Sequence, residues 1–378
     1  MFRSWYATCP RGAEPALEAE LEALGAKGVR GGKGGVRFTG PRATALRACL
    51  ELRTALRLLE PVGEFPCEDA DQLYAGALAL PWGDLIGKGQ TFAVSASGQA
   101  TSLTHTHFVE LRTKDAVVDA LRESTGSRPD VNPRDPDVLV VVHLGNGKAS
   151  ISLDLAGDLL SNRGYRVKTV DAPLREALGA AVIYYSGWDK TRPLHDPVCG
   201  SGTLVIEAAL IAAARAPGLG RKFACEKWPR TATEDARTLT ELRAELTERA
   251  KNVREVPPIL ASDRDPAAVA ATRDNAQAAG VAGLVRVFEA DARTLQPLEP
   301  PGQLVLNVPY GERLEAGGHK QLKSFYNALG KTIRGLRGHR AAVLSSSEVF
   351  ESAFGMRPRE RRELWNGPLR CTLYEFNM

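Results

Sequence analysis

No stretch of eighteen consecutive apolar residues occurs in the chain, and without one the sequence offers no helix suited to spanning a bilayer. The opening MFRSWYATCPRGAEP places Arg3 and Trp5 where a secretory signal needs its apolar run, so a cytoplasmic protein with no membrane partner is expected. The six cysteines, Cys9, Cys49, Cys67, Cys199, Cys225 and Cys371, lie far apart and form no C-x-x-C pair. That spacing argues against a zinc ribbon, a thioredoxin-type motif or a disulfide framework; it predicts free, mostly buried thiols and no metal site. Internal repeats and low-complexity segments are missing as well. What is present is ordinary for a globular protein, with 43% apolar and 25% charged residues. A length of 378 residues corresponds to two or three domains.

The net charge is only +4, yet residues 1–57 hold 10 Lys/Arg against 5 Asp/Glu, residues 58–155 hold 7 against 14, and residues 156–378 hold 32 against 26. Basic ends flank an acidic middle, which permits RNA binding through local patches without demanding it. Glu14 to Leu24 places Leu17, Leu21 and Leu24 on one face, the period of an amphipathic helix, and Gly25 ends it. The GGKGG run at 31–35 separates this helix from a strand at Val36–Thr39, and a second helix is expected around Arg42–Leu59. Pro61 and Pro66 mark a boundary, so residues 1–65 read as a small α/β unit. Beyond it the pattern predicts a strand at Thr91–Ser97, a helix over Asp115–Ser124, and a hairpin of Val138–Leu144 with Lys148–Leu155 turned at Gly145-Asn146-Gly147.

Residues 66–155 resemble the THUMP domain of RNA-modifying enzymes, through HTHFVELRTKDAVVDAL at His105–Leu121 and the hairpin that follows. The resemblance implies RNA binding and makes Arg112 and Lys114 candidate RNA contacts. Taken as residues alone, Lys114 also fits a solvated helix start with Asp115 as its cap. Residues 156–175 are polar and read as a linker. Residues 176–378 alternate helix and strand: a helix to Trp188, strands at Leu194–Val198, Ile259–Ser262, Val285–Glu289 and Gln303–Leu306, and helices at Thr203–Arg215 and Pro266–Ala279. This is the pattern of a doubly wound, Rossmann-like parallel sheet. Residues 220–256 interrupt it with a charged, helix-prone insertion expected to form a solvated outer helix.

The first strand of this alternation runs through Asp196-Pro197-Val198-Cys199-Gly200-Ser201-Gly202-Thr203 into an apolar helix. Glycines at 200 and 202 let backbone approach a ligand closely, and the N–H groups of the helix that follows form an anion site. No G-x-x-x-x-G-K-[ST] occurs, and Val205 stands where a dinucleotide fingerprint has its third glycine, so a carboxylate ligand fits better than a pyrophosphate. Asp263, followed by Arg264, ends the second strand, where a carboxylate can accept ribose hydroxyls. The third delivers Asp291 and Ala292, with Asp291 placed to accept from an adenine amino group. The fourth ends in Asn307-Val308-Pro309-Tyr310. Asp263 or Asp291 alone fits a helix cap; the ordered set at successive strand ends is what argues for a ligand. Cys199 invites a nucleophile role but lies inside the turn, and His195 reads as structural.

Together these features resemble S-adenosyl-L-methionine-dependent methyltransferases, and Asn307–Tyr310 resembles the N-P-P-Y motif of those that methylate exocyclic amines. An amine conjugated to a ring is a poor nucleophile, and acceptors such as the Asn307 side-chain oxygen and the Val308 or Pro309 carbonyl stabilise the positive charge that grows on it. Proline at 309 fixes the backbone, and Tyr310 would stack on a flipped base. With DPVCGSGTLVIEAA, APGL at 216–219, NVPYGERL at 307–314 and WNGPLRCTLYEF at 365–376, nearly the whole chain resembles the bacterial 23S ribosomal RNA guanine-N2 methyltransferase family. The resemblance implies a ferredoxin-like first unit, RNA as partner, either 23S ribosomal RNA or its assembly intermediates, and Asp171–Arg175, including Pro173 and Leu174, along the cofactor's far side. Val308 replaces the family's first proline, and the chain ends after one methyltransferase unit where some members carry a second. Transfer RNA is the alternative substrate. A non-catalytic RNA-binding or ribosome-assembly factor on the same fold is the alternative of another class, and a DNA adenine-N6 methyltransferase leaves the THUMP-like segment unexplained.

Overall fold

Alternation shapes the first strand, β1 (Arg3–Thr8), which buries Trp5 and Ala7. It is followed by α1 (Glu14–Ala23), β2 (Lys27–Gly32), β3 (Gly35–Gly40), α2 (Arg42–Glu51) and β4 (Arg57–Pro66). The computed structural model describes residues 2–126, 129–169, 173–309 and 318–378. The helix expected to run from Arg42 to Leu59 stops at Glu51. Its continuation is captured by Glu20, whose carboxylate accepts the N–H groups of Arg53 (2.8 Å) and Thr54 (3.0 Å), and residues from Arg57 onward join the sheet instead.

Next come α3 (Ala70–Leu78), α4 (Trp82–Leu85), β5 (Thr91–Gly98), α5 (Thr106–Thr125), β6 (Asp130–Val131), β7 (Val138–Gly145) and β8 (Lys148–Asp154). Asn146 (φ 54°) and Gly147 (φ 71°) give the β7–β8 turn the left-handed pair that a tight hairpin needs. Asp115 does not cap α5. The helix starts nine residues earlier, and Val109, Thr113, Ala116, Val117 and Leu121 form its buried stripe. The polar THTH run at its start hid that turn from a reading based on apolar period. The strand order β2-β3-β1-β4-β8-β7-β5-β6 makes one sheet of the two N-terminal units, because β4 pairs with β1 on one side and β8 on the other.

The C-terminal half contains α6 (Glu176–Tyr185), β9 (Leu194–Asp196), α7 (Thr203–Ala212), α8 (Ala232–Lys251), β10 (Ile259–Asp263), α9 (Pro266–Ala278), β11 (Val285–Glu289), β12 (Gln303–Asn307), α10 (Gly318–Arg334), β13 (Arg340–Ser345), α11 (Phe350–Phe354), β14 (Glu360–Asn366) and β15 (Leu369–Asn377). Its sheet runs β11-β10-β9-β12-β13-β15-β14, with β9 to β13 parallel and the last two strands antiparallel. Both faces are buried. Val305, Ala342 and Leu344 pack with α6 and α7 on one side, while Leu304, Leu306 and Val343 pack with α10 and α11 on the other. Among the described residues no helix is long and apolar enough to cross a membrane.

The insertion at 220–256 forms the expected helix, but one of its faces is buried. α8 buries Asp235, Leu239, Leu242 and Leu246 on one face; Asp235, Glu245 and Arg249 meet partners on α2, while the opposite face is exposed. Arg42 grips Asp235 through two bonds of 2.6 and 2.7 Å and also reaches Glu60 (2.8 Å) and Thr231 (3.0 Å). Asp235 is fully buried there. Removing one member of such a pair strands the other charge, so Arg42→Ala is expected to cost about 3–5 kcal/mol. The loss should appear as a lower denaturant midpoint, and Arg42→Met combined with Asp235→Leu should recover most of it.

Candidate active site

Between β9 and α7 the chain turns through Gly200 (φ 54°) and Gly202 (φ 85°), both in the left-handed region that favours glycine. A side chain at Gly202 would also stand 2.8 Å from the Thr272 methyl. Three bonds fix the turn: Cys199 N–H to the Ser262 carbonyl (3.0 Å), Thr272 hydroxyl to the Gly200 carbonyl (2.8 Å) and Gly200 N–H to Asp263 (3.0 Å). The other Asp263 oxygen accepts the Asp265 N–H (3.1 Å). A carboxylate oxygen has two acceptor sites, so Asp263 keeps one per oxygen for a ligand.

Asp196 is buried at the end of β9 and accepts the Val198 N–H (3.1 Å). Burial, reinforced by the charge of Asp263, pushes its carboxyl well above the ordinary range. Burial likewise raises the Cys199 thiol, which removes the thiolate a nucleophile needs. Asp291 is held the opposite way: hydrogen bonds from the Arg293 guanidinium lower its pKa, and the Arg293 N–H adds a bond of 2.9 Å.

The carboxyl ends of β9, β10, β11 and β12 open on a cavity of about 610 Å³, large enough for a nucleoside-sized ligand and a base. Of the residues expected at the site, Asp196, Cys199, Gly200, Ser201 and Thr203 line it from the turn, and Asp263, Arg264, Asp291 and Ala292 from the next two strand ends. Pro173 and Leu174 close one side; Asn307 and Pro309 close another. Asn307 Oδ1 is buried and has no hydrogen-bond partner among the described residues. Pro309 offers a carbonyl that already accepts the Tyr326 hydroxyl at 2.6 Å. Val308 does not face the cavity: its side chain is fully buried, and its N–H continues the ladder to Leu344 (3.2 Å). Gly202 shapes the turn from behind. Tyr310 and Asp171 lie outside the described residues.

Arg112 and Lys114 sit apart from the cavity, on α5. Arg112 stacks over Tyr74 (4.2 Å) and bonds to Asp71 and the Ala70 carbonyl, while Lys114 pairs with Asp115 at 3.0 Å. Two features that shape the site went unnoticed in the sequence. Leu322, Ser324 and Phe325 reach the site from α10, where an apolar stripe looks like core. Asn275 on α9, fully buried, accepts the N–H groups of Val167 and Lys168 and donates to the Ser201 carbonyl (2.9 Å each), tying the 156–175 segment to the turn. Among the described residues no group of three or more His, Cys, Asp or Glu is placed to hold a metal ion.

Residues 163–375 match the family described as RMKL-like, methyltransferase domain; residues 67–154 match the THUMP domain and residues 4–59 the RlmL ferredoxin-like domain. The chain is 40% identical over 384 residues to a ribosomal RNA large subunit methyltransferase K/L of Syntrophotalea carbinolica, an alignment covering 99% of this chain and 53% of that protein. It thus spans about half the length of the curated relatives it matches. Among solved structures, SMU.472 complexed with SAH superposes with a TM-score of 0.87 at 33% identity, covering 100% of this chain and 98% of the other. A possible methylase from Clostridium difficile 630 gives 0.89 at 31% identity with the same coverage.

His195, beside the site, is buried with Nε2 2.9 Å from the Ser262 hydroxyl and Nδ1 without a partner among the described residues. Burial lowers its pKa from 6.5 to about 4. Between those values an unfolded chain takes up a proton that the folded one refuses. The stability contributed by the neutral ring is therefore complete above pH about 6.5 and is lost as pH falls toward about 4. His195→Gln does not titrate, and relative to the parent it should gain about 3 kcal/mol on going from neutral pH to pH about 4. Denaturant unfolding at both pH values measures this; parallel behaviour of parent and variant would mean that the ring is not held neutral.

Proposed function

The chain belongs to the RMKL-like methyltransferase family, and from that premise we propose that it transfers a methyl group from S-adenosyl-L-methionine to the exocyclic N2 amine of a guanosine in RNA, with 23S ribosomal RNA as substrate. The observation that carries this is Asn307 Oδ1, a buried acceptor without a partner among the described residues, at a strand end that shares its cavity with the glycine turn. An orphaned acceptor of this kind costs folding free energy unless a donor arrives, and an amine N–H is such a donor.

The residues present fit the cofactor. Asp263 has acceptor capacity left for ribose hydroxyls, Asp291 lies one strand further on, and α7 begins without a side-chain cap, leaving N–H groups for a carboxylate. When bound, S-adenosylmethionine supplies an electrophilic methyl on sulfur. The chain's own part is to orient the amine and carry the charge that develops on it. Asn307 Oδ1 accepts one amine N–H, and the free acceptor site of the Pro309 carbonyl, oriented by Tyr326, takes another. Tyr310 is assigned the stacking face for the flipped base from its place in the motif. The methylated nitrogen then loses its proton to these acceptors or to water, so no side-chain base is needed.

In this division of labour residues 1–65 and 66–155 hold RNA, residues 156–175 connect, and residues 176–378 perform the chemistry in the cytoplasm. The relatives' names, ribosomal RNA large subunit methyltransferase K/L, support ribosomal over transfer RNA. The test is to incubate the protein with labelled cofactor and total RNA from a strain lacking it, then map the modified base; label confined to transfer RNA would overturn the substrate assignment. Asn307→Ala should lower single-turnover methylation about a hundredfold, the size of losing one oxyanion-hole donor, with little change in cofactor affinity. Near-normal chemistry in that variant would remove Asn307 from the mechanism.

A further inference from the structure

Arg166 lies in the segment that looked like a passive linker, yet its guanidinium reaches the wall of the cavity. It donates to the Ser201 hydroxyl (3.0 Å), the Thr203 hydroxyl (3.1 Å), the Leu174 carbonyl (2.9 Å) and Glu176 (2.9 Å). Three of these four partners, Ser201, Thr203 and Leu174, line the cavity, whereas Arg166 stands behind them and does not. Its side chain is largely buried, so the bonds are shielded from water and strong.

The consequence lies in the direction of the hydroxyl protons. An arginine can only donate, so both hydroxyls are held as acceptors toward it. Thr203 passes its own proton to the Leu174 carbonyl (3.4 Å). Ser201 has no such outlet among the described residues, and its proton remains for an acceptor in the cavity. It stands at the start of α7, whose first N–H groups carry no side-chain cap. With its oxygen held by Arg166 and its position next to a helix N-terminus, Ser201 presents a donor that suits an anionic group.

We infer that Arg166 is a positioning residue for the carboxylate end of the cofactor, fixing Ser201 as a donor and holding the 173–174 segment against the turn. The inference rests on the cofactor reading above, and it singles out one part of that ligand. Arg166 should matter for a ligand that carries the amino-acid moiety and be nearly silent for one that lacks it. A role confined to folding would weaken both alike.

The full chain can be titrated calorimetrically with S-adenosylhomocysteine and with 5′-methylthioadenosine, which keeps the nucleoside and lacks the amino-acid end. Arg166→Met should weaken S-adenosylhomocysteine at least tenfold while changing 5′-methylthioadenosine less than twofold, and Arg166→Lys, which keeps the charge without the fork, should recover part of the loss. Should Arg166→Met fold poorly, Ser201→Ala removes the same donor with less disturbance and should show the same selectivity. Combining Ser201→Ala with Arg166→Met should add little to either alone. Equal weakening of the two ligands, or none, would overturn the role of Arg166 and leave the cofactor assignment standing. A parent protein that binds neither ligand overturns both.

Discussion

The reversal of strand order between β9 and β12 is the constraint on which the site depends. From β9 the chain builds β10 and then β11 to one side and returns with β12 on the other. Connections that leave in opposite directions cannot cover the gap between the strands they start from, so a crevice opens at the carboxyl ends of this pair. Both faces of the strands are buried under helices, and side chains within them cannot reach a ligand. Only residues at or just past the strand ends can. Asp196, Asp263, Asp291 and Asn307 occupy those places, and the cavity joins them.

This explains which parts of the site could be read from the sequence. A strand end followed by a glycine turn, or by an acidic residue and a helix, is a local signal, and Gly200, Asp263, Asp291 and Asn307 each carry it within a few residues. The alternation of helix and strand made the parallel sheet legible for the same reason. What escaped depends on partners far away in the chain. Arg166 gains its meaning from Ser201 and Asn275 from Val167, at separations of 35 and 108 residues. Alpha-helix α8 reads as solvated because its charges outnumber its leucines, and only the fold reveals that Asp235, Glu245 and Arg249 face α2. The antiparallel β14–β15 edge likewise needs β13 beside it before it can be told from a free hairpin. The side chain of Val308 is buried while its neighbours Asn307 and Pro309 line the cavity, because the pleat turns successive side chains to opposite sides.

Strand β4 gives the N-terminal half its unity, since it belongs to the ladder of both units at once. The C-terminal half is fastened to that sheet at several points. Arg53, from the first unit, donates to the carbonyls of Leu210 (3.2 Å) and Arg215 (2.6 Å) at the end of α7. Tyr185, ending α6, donates to the Gly12 carbonyl (3.0 Å) and accepts the Ala16 N–H (3.2 Å). Gly12 itself has no room for a side chain, because a Cβ there would stand 2.1 Å from the Glu363 carbonyl. These contacts reach the helix that carries the glycine turn, so the N-terminal sheet is held in register with the site.

The uneven charge of the chain belongs to this fastening. Acidic residues dominate 58–155, which at first sight opposes a role in holding RNA. Several of them are held by partners. Glu60 binds Arg3 and Arg42, Asp154 binds Arg57, and Asp137 binds Lys227, each pairing the acidic middle with a basic flank. Asp69 caps α3, Glu110 accepts the Ala96 N–H, and Asp119 accepts the Tyr74 hydroxyl. The exposed pairs, such as Lys227 with Asp137, contribute little. Those with a buried member, Asp154 foremost, tolerate no other orientation of the two partners, because separation leaves a charge without water or counterion. Three of the fourteen acidic residues of 58–155, Glu60, Asp137 and Asp154, are thus engaged by basic partners outside that segment, and these pairs orient one unit on the next. The field at the surface is set by the charges this pairing leaves over, and a segmental count of formal charge does not measure it.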